Sequence, residues 1–172
     1  MLQNLRKRSL QKRTERNLMD RDLSEVNEPM RTLGFLVDEA VFQNFEKLED
    51  FALKYGIQPK DVKVFSFLQV KRKLPSMQHN QINNKDFSWS GEINNNNARE
   101  FLDKPFDVLV GYYEGKHAFL DLMMASSKAR FKVGFEGADE RLFDMIFSLK
   151  PSNVDAFREE LKKYLKVLNK LE

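Results

Sequence analysis

The sequence predicts an α/β fold, an open three-layer sandwich with a mostly parallel central sheet, preceded by a basic helical N-terminal arm. Short apolar runs alternate along the chain with amphipathic helical patterns, which is the order expected of parallel βαβ units. Right-handed crossovers between such strands place helices on both faces of the sheet. With 41% hydrophobic residues and 15 Phe, the chain of 172 residues can bury one core.

The N-terminal arm is predicted over residues 1–29, and a single α/β domain over residues 30–172. Residues 4–25 contain neither Gly nor Pro and are rich in good helix formers, so they favour a helix. No continuous apolar stripe follows this segment. We therefore expect the helix to be solvated or to lie on a partner rather than to pack in a core. Pro29 closes the segment.

The first half of the domain contains two predicted strands separated by a helix. The apolar run at 31–40 and the β-branched and aromatic run at 61–70 are typical of buried strands. Between them, apolar residues recur every three or four positions over 41–54, and Gly56 then supplies a helix stop.

A polar stretch at 77–84 predicts a loop, after which regular structure resumes. Phe87 and Trp89 alternate with serines, which favours a short edge strand. Both aromatic rings could stack on nucleic-acid bases, but packing is the commoner role in such a strand and is the interpretation we favour. The asparagines at 94–97 offer an N-cap to a helix over 98–104.

The second half of the domain repeats the alternation of strands and helices. We predict a strand at 106–113, a helix at 116–129, a strand at 129–136 and another buried run at 142–149. A long amphipathic helix follows from Ser152 to the end of the chain.

The positive charge of the chain is concentrated in its first nineteen residues. Six basic residues stand there against the single acid Glu15, a net charge of +5, whereas the whole chain carries only +3. The six are Arg6, Lys7, Arg8, Lys12, Arg13 and Arg16. A cationic arm on a roughly neutral domain is typical of proteins that meet phosphates or another anionic surface.

Several functional classes lack the residues that they need. The chain has no cysteine, which excludes disulfides, thiolate zinc sites and cysteine nucleophiles and fits a reducing cytoplasm. No apolar run approaches the roughly 20 residues that span a bilayer. The glycines form neither of the common phosphate-binding loops. We therefore expect no cofactor, no metal and no catalytic residues.

One alternative is a small-molecule site at the carboxyl ends of the strands, where open α/β folds bind ligands. Asp38, Tyr112, Glu114 and His117 follow predicted strands, and His117 could act as a general base that Glu114 orients. We favour the simpler interpretation that these are ordinary polar residues at strand ends.

The central part of the chain resembles two protein families. Residues 105–137 resemble the N-terminal half of heptosyltransferase-type glycosyltransferases, a Rossmann-like half in which a strand beginning Phe-Asp, a helix and an Ala-Arg-basic strand follow in the same order. This resemblance implies an enzyme that transfers a sugar from a nucleotide donor.

The closer resemblance is to a family of small α/β proteins of Bacteroidota. Its motifs are W-x-G at Trp89–Gly91, P-F-D-apolar-L at Pro105–Leu109 and A-S-S-K-A-x-F-K-V-G at Ala125–Gly134. The resemblance extends over most of the chain and implies no catalytic residues. A compact domain with a basic extension is also similar in design to lineage-specific ribosomal proteins.

The leading hypothesis is an RNA-binding structural protein of the cytoplasm, in its most specific form an accessory component of the large ribosomal subunit. Its partners would be rRNA and neighbouring ribosomal proteins. The six cations of the arm would bind phosphates, with Lys71, Arg72 and Lys73 as a second contact. Lys128, Arg130 and Lys132 and the lysines of the last helix would extend this surface if they lie on the same side.

Two other hypotheses rank lower. A half-size glycosyltransferase-like enzyme or small-ligand-binding domain is the main alternative. Binding to a membrane ranks last, because the arm lacks the large apolar face that stable insertion needs.

Overall fold

The computed structural model describes residues 1–73 and 78–172 and contains a six-stranded parallel sheet. The strands are β1 (Leu33–Asp38), β2 (Val62–Leu68), β3 (Gln81–Asn83), β4 (Val108–Tyr112), β5 (Phe131–Phe135) and β6 (Met145–Phe147). They lie in the order β3-β2-β1-β4-β5-β6, which is that of a doubly wound fold. The predicted parallel α/β architecture is confirmed.

Helices cover both faces of this sheet. They are α1 (Leu2–Met19), α2 (Phe45–Glu49), α3 (Phe51–Tyr55), α4 (Asn96–Asp103), α5 (Ala118–Ser126) and α6 (Val154–Val167). One core joins α1, α4 and α5 to one face of the sheet, and the other joins α2, α3 and α6 to the opposite face. No helix in the described ranges is long and apolar enough to cross a bilayer.

The predicted helix boundaries depend on capping residues that the structure confirms. The side chain of Asn95 accepts a hydrogen bond of 3.0 Å from the amide of Ala98 at the start of α4. Gly56 ends α3 in the left-handed conformation, with φ of 71°. The helix predicted over 41–54 is shorter and divided, since Asp50 separates α2 from α3.

The polar region after β2 differs from the prediction. The loop expected at 77–84 contains the edge strand β3, while Met77 at its start lies outside the described residues. Polar residues form this strand because their side chains have partners, and Gln81 donates to Glu39 at 2.6 Å. The edge strand predicted at Phe87 and Trp89 is wrong, since Phe87 makes only an isolated antiparallel bridge.

Helix α1 packs against α5 of its own domain, which was not expected from its weak apolar pattern. Leu10 is 1% exposed and belongs to the core on that face. Polar residues complete the packed face of the helix: Thr14 donates to the Leu10 carbonyl at 3.0 Å, and Asn17 donates to Ser126 at 2.9 Å. A helix can therefore dock with a single buried leucine when its neighbours on that face are satisfied by hydrogen bonds.

Candidate nucleic-acid interface

A cleft of about 620 Å³ lies between the N-terminal half of α1 and the carboxyl ends of β2 and β3. We call it the cationic cleft, because Arg6, Lys7, Lys71 and Lys85 line it. Arg6 and Lys7 come from α1, Lys71 follows β2, and Lys85 follows β3. No acidic residue belongs to the lining within the described ranges.

Hydrogen bonds between the two loops hold the lysines of the cleft beside α1. The amide of Val70 donates to the Asn84 side chain at 2.7 Å, which ties the segment after β2 to the segment after β3. Asn83 caps the short turn that follows β3 by accepting from the Lys85 amide at 2.8 Å. The backbone at Lys71 and Lys85 is thus held in place, while both side chains are exposed.

Arg6 lies on the side of the cationic cleft that faces the body of the protein. Its guanidinium donates to the backbone carbonyls of Asn84 and Phe87, both at 2.8 Å. The same group lies 5.2 Å from the ring centroid of Phe119 and 5.9 Å from that of Trp89. Arg6 therefore anchors α1, and its charge faces two aromatic rings.

The outward side of α1 carries a second row of positive charge. Arg8, Lys12 and Arg16 are spaced four residues apart and are exposed, and we call them the outer stripe. None of them forms an ion pair with another described residue, whereas Glu15 lies 3.9 Å from Arg141. Like charges at this spacing each destabilise a helix by about 0.2–0.5 kcal/mol, which an anionic partner would relieve.

The structure divides the nine predicted phosphate-binding residues into two groups. Arg6 and Arg13 are half-buried and turn toward the domain, and Arg13 reaches the Ser90 carbonyl at 3.5 Å. The other seven are exposed: Lys7, Arg8, Lys12, Arg16, Lys71, Arg72 and Lys73. Contact of these residues with RNA stays a prediction.

The further cations that could have extended the basic surface, Lys128, Arg130 and Lys132, do not do so. Lys132 is 1% exposed, donates to a backbone carbonyl of α5, and has its pKa lowered by burial to about 7. Arg130 pairs with Asp107 at 2.6 Å, and Lys128 pairs with Asp103 at 2.8 Å. The lysines of α6 belong to the opposite face of the sheet.

Lys85 was missed because it follows a strand that the sequence did not reveal. Its position in the cleft depends on β3, which is polar and only three residues long. Recognition of the asparagine cap at Asn83, three residues before Asp86, would have indicated a turn here.

Trp89 lies at the rim of the cationic cleft and is 55% exposed. The packing role favoured for it from sequence is therefore wrong, whereas Phe87 is 4% exposed and does pack in the core. Trp89 belongs to a turn closed by a hydrogen bond of 3.1 Å from the Gly91 amide to the Ser88 carbonyl, and Phe87 immediately precedes that turn. Gly91 has φ of 84°, which favours glycine.

The four residues of the alternative small-molecule site come together only in part. Asp38 at the end of β1 lies near His117 at the start of α5, with 3.8 Å between Oδ2 and Nε2. Burial lowers the pKa of His117 against the opposing effect of Asp38. Its Nδ1 accepts from the Leu120 amide at 3.2 Å, so that nitrogen caps α5 and is not free to take a proton.

The other two residues of that alternative lie elsewhere. Tyr112 is fully buried and donates to the Pro151 carbonyl, so it contributes nothing to a strand-end rim. Glu114 is exposed, and Asp38 rather than Glu114 faces the imidazole of His117. The orienting role that this alternative assigns to Glu114 is therefore wrong.

Asp121 is a half-buried acid that the sequence did not single out. It accepts hydrogen bonds from the Tyr113 hydroxyl at 2.8 Å and from the His117 amide at 3.0 Å. Burial raises the pKa of Asp121 to about 6. Through these hydrogen bonds the Asp121 carboxylate fixes the start of α5, beside the cationic cleft.

A second cleft, of about 660 Å³, lies beside the C-terminal half of α1. Its charged lining residues have both signs: Arg13, Arg21, Arg99 and Lys128 against Asp20, Asp22 and Asp103. Because these charges largely compensate one another, this cleft has less attraction for a polyanion than the cationic cleft.

The chain belongs to the family of unknown function DUF6913, whose model matches residues 6–168. The match includes all four basic residues of the cationic cleft and most of α1. No curated protein and no solved structure matches the chain.

Proposed function

We propose that this protein binds RNA by its phosphate backbone, through the cationic cleft and the outer stripe of α1. The observation that carries the proposal is the convergence of four basic side chains from three separate segments, with no acid among the described lining residues. Phosphates would supply the counter-charge that the chain lacks there, and each neutralised cation would contribute through the release of a counterion.

The shape of the cationic cleft favours RNA over an anionic membrane. A phosphodiester chain can thread between α1 and the loops after β2 and β3, whereas a flat bilayer surface cannot enter a cleft. Phosphate contacts position a protein on RNA without reading its sequence, so we expect little base specificity from the lysines alone.

In its most specific form the proposal makes the protein an accessory component of the large ribosomal subunit in the cytoplasm. Because α1 packs on α5, we expect it to meet rRNA at the ribosomal surface rather than to penetrate it as an extended arm. A sucrose gradient of native lysate tests this form. Co-migration with the large subunit at moderate salt is expected, and residence only at the top of the gradient would contradict it.

The general proposal is tested by RNA affinity in two matched variants of the full chain. The cleft variant combines Lys7→Gln, Lys71→Gln and Lys85→Gln and keeps Arg6, which anchors α1. The control removes the same charge at three exposed lysines outside the cleft: Lys60→Gln, Lys150→Gln and Lys166→Gln.

Fluorescence anisotropy with a labelled RNA should give a much larger loss in the cleft variant than in the control, on the order of tenfold or more. Equal losses in both variants would mean that only net charge matters, and unchanged affinity in the cleft variant would contradict the proposal. Binding to anionic vesicles without binding to RNA would assign the surface to a membrane instead.

The second candidate function is a small-ligand or glycosyltransferase-like site around Asp38 and His117. The observation that favours it is their contact beyond the carboxyl ends of β1 and β4, where the strand order of a doubly wound sheet reverses. Calorimetric titration with nucleotide sugars tests it, and binding should be lost on Asp38→Asn. Its weakness is that His117 already caps α5 and packs its ring edge-on against Phe67.

A further inference from the structure

Trp89 is the only tryptophan of the chain, and the domain leaves it open to solvent at the rim of the cationic cleft. Among the described residues, only Trp89 and Tyr164 are aromatic side chains with large exposure. Burial of an aromatic side chain is worth several tenths to a few kcal/mol, so an exposed tryptophan beside four cations indicates a surface kept for a partner.

We propose that the cationic cleft takes a single-stranded segment of RNA and that one of its bases stacks on the indole of Trp89. This inference rests on the proposed RNA-binding function and specifies the form of RNA that the site accepts. Stacking on an aromatic ring tolerates every base, so it adds affinity without reading sequence.

The turn that carries Trp89 is held firmly enough to present the ring. Ser88 donates its amide to the Glu92 carbonyl at 2.9 Å, and the hydroxyls of Ser88 and Ser90 are 2.9 Å apart. The neighbouring Phe87 is buried in the core, which fixes the base of the turn. The ring is therefore pre-positioned, and little order has to be gained when a base binds.

Arg6 supports one side of the indole. Its guanidinium lies 5.9 Å from the ring centroid of Trp89 and is itself fixed by two backbone carbonyls. The guanidinium lies against one side of the indole, while more than half of Trp89 is open to solvent. A base placed on the open side would stack on the indole.

The lysines of the cleft lie where the flanking phosphates would run. Lys7 and Lys71 line the same cleft as Trp89 from two different segments, and Lys85 lines it from a third. A single strand can present an unstacked base and its phosphates to this cleft together. An RNA duplex keeps its bases paired and stacked, so it offers the phosphates alone.

The sole tryptophan makes the test direct. Intrinsic fluorescence of the full chain is followed during titration with a ten-nucleotide oligoadenylate, with an RNA duplex of equal phosphate number, and with inorganic polyphosphate. We expect strong quenching only with the single strand, after correction against free N-acetyltryptophanamide. Polyphosphate should compete with the oligonucleotide for the lysines but quench little, since it has no bases.

Substitutions separate stacking from a merely structural role. Trp89→Ala should lower affinity for the single strand about 5- to 150-fold, Trp89→Phe should keep most of it, and Tyr164→Ala on α6 should have no effect. Affinity for the duplex should not change in any of the three. Thermal melts of the variants check that each retains the fold, which is expected because Trp89 is exposed.

Different results would contradict the stacking inference and the proposed RNA-binding function. RNA binding that depends on the cleft lysines but is unchanged by Trp89→Ala would overturn the stacking inference and leave the proposed function intact. Equal affinity of the wild-type chain for duplex and single strand would also overturn it. Absence of binding to either RNA would overturn both proposals.

Discussion

The guanidinium of Arg6 donates a hydrogen bond of 2.8 Å to the backbone carbonyl of Phe87. This bond joins the cationic helix α1 to the turn that carries Trp89. A second bond, to the Asn84 carbonyl, joins the same side chain to the segment after β3. One arginine therefore joins α1 to the segment after β3 and to the turn that carries Trp89, and the positive helix is a fixed part of the domain surface.

Replacement of Arg6 by alanine should destabilise the docking of α1. The substitution leaves two partly buried carbonyls without their charged donor, and bonds to charged groups contribute about 1.5–3 kcal/mol each. We expect a loss of about 2–3 kcal/mol in the free energy of unfolding, measured by urea denaturation, and faster amide exchange in α1. Arg8→Ala is the matched control, because Arg8 is exposed on the same helix and should change stability by less than about 0.5 kcal/mol. Equal effects of the two substitutions would contradict the anchoring role.

Gly91 in the W-x-G motif should tolerate alanine less well than Gly115. Both glycines have positive φ, 84° and 62°, so alanine carries a similar backbone cost of about 1–2 kcal/mol at each. Only at Gly91 would the added Cβ meet neighbours, at 2.9 Å from Arg13 Cδ and 3.1 Å from Leu122. We therefore expect the larger loss of thermal stability for Gly91→Ala. Indistinguishable melting temperatures would show that the turn and α1 do not press on each other.

Asp107 in the P-F-D motif should be worth far more to stability than Asp103. Its Oδ2 accepts from the amides of Arg31 and Thr32, both at 2.9 Å, and Arg130 pairs with Oδ1. We expect Asp107→Ala to cost about 2–4 kcal/mol, because these donors lose their acceptor. Asp103→Ala, which breaks an exposed pair with Lys128, should cost under about 1 kcal/mol.

The Asp107 carboxylate should also make the stability of the protein depend on pH. Burial alone would raise the pKa of Asp107, but hydrogen bonds from Arg31, Arg130 and Thr32 outweigh it and lower the pKa below the ordinary 3.8. The stabilisation is therefore complete above pH of about 4 and is lost as the pH falls through the lowered value. Acid unfolding curves of Asp107→Asn should be less steep below pH 4 than those of the wild type, and identical curves would contradict this assignment.

The outer stripe should determine part of the salt dependence of RNA binding. Neutralisation of Arg8, Lys12 and Arg16 by glutamine should reduce the slope of log affinity against log salt by about 2, at roughly 0.7 per lost contact with a single strand. Deletion of residues 1–19 is a poorer test, because it also removes the buried Leu10. An unchanged slope in the substituted chain would exclude the stripe from the interface.

The sequence predicted the central sheet well because its strands are apolar. The runs that contain β1 and β4 are continuous hydrophobic segments buried on both sides, as parallel strands are. Strand β3 escaped prediction because Gln81 is stabilised by a side-chain partner far away in the sequence, Glu39. No local pattern records such partners.

The candidate site was predicted in its charge but not in its shape. The cations of α1 and Lys71–Lys73 are evident from composition, whereas their separation into anchors and exposed groups depends on Leu10 packing on α5. The exposure of Trp89 follows from the turn at Gly91, which an alternating pattern conceals. These features arise from tertiary contacts.

The most direct measurement of the central claim is ultraviolet cross-linking of RNA to the protein in intact cells, followed by mass spectrometry of nucleotide-modified peptides. We expect adducts on peptides that contain Lys7, Lys71, Lys85 or Trp89, the residues that line the cationic cleft. Adducts confined to other surfaces such as α6, or the absence of any cross-linked RNA, would contradict the proposal that this cleft binds RNA.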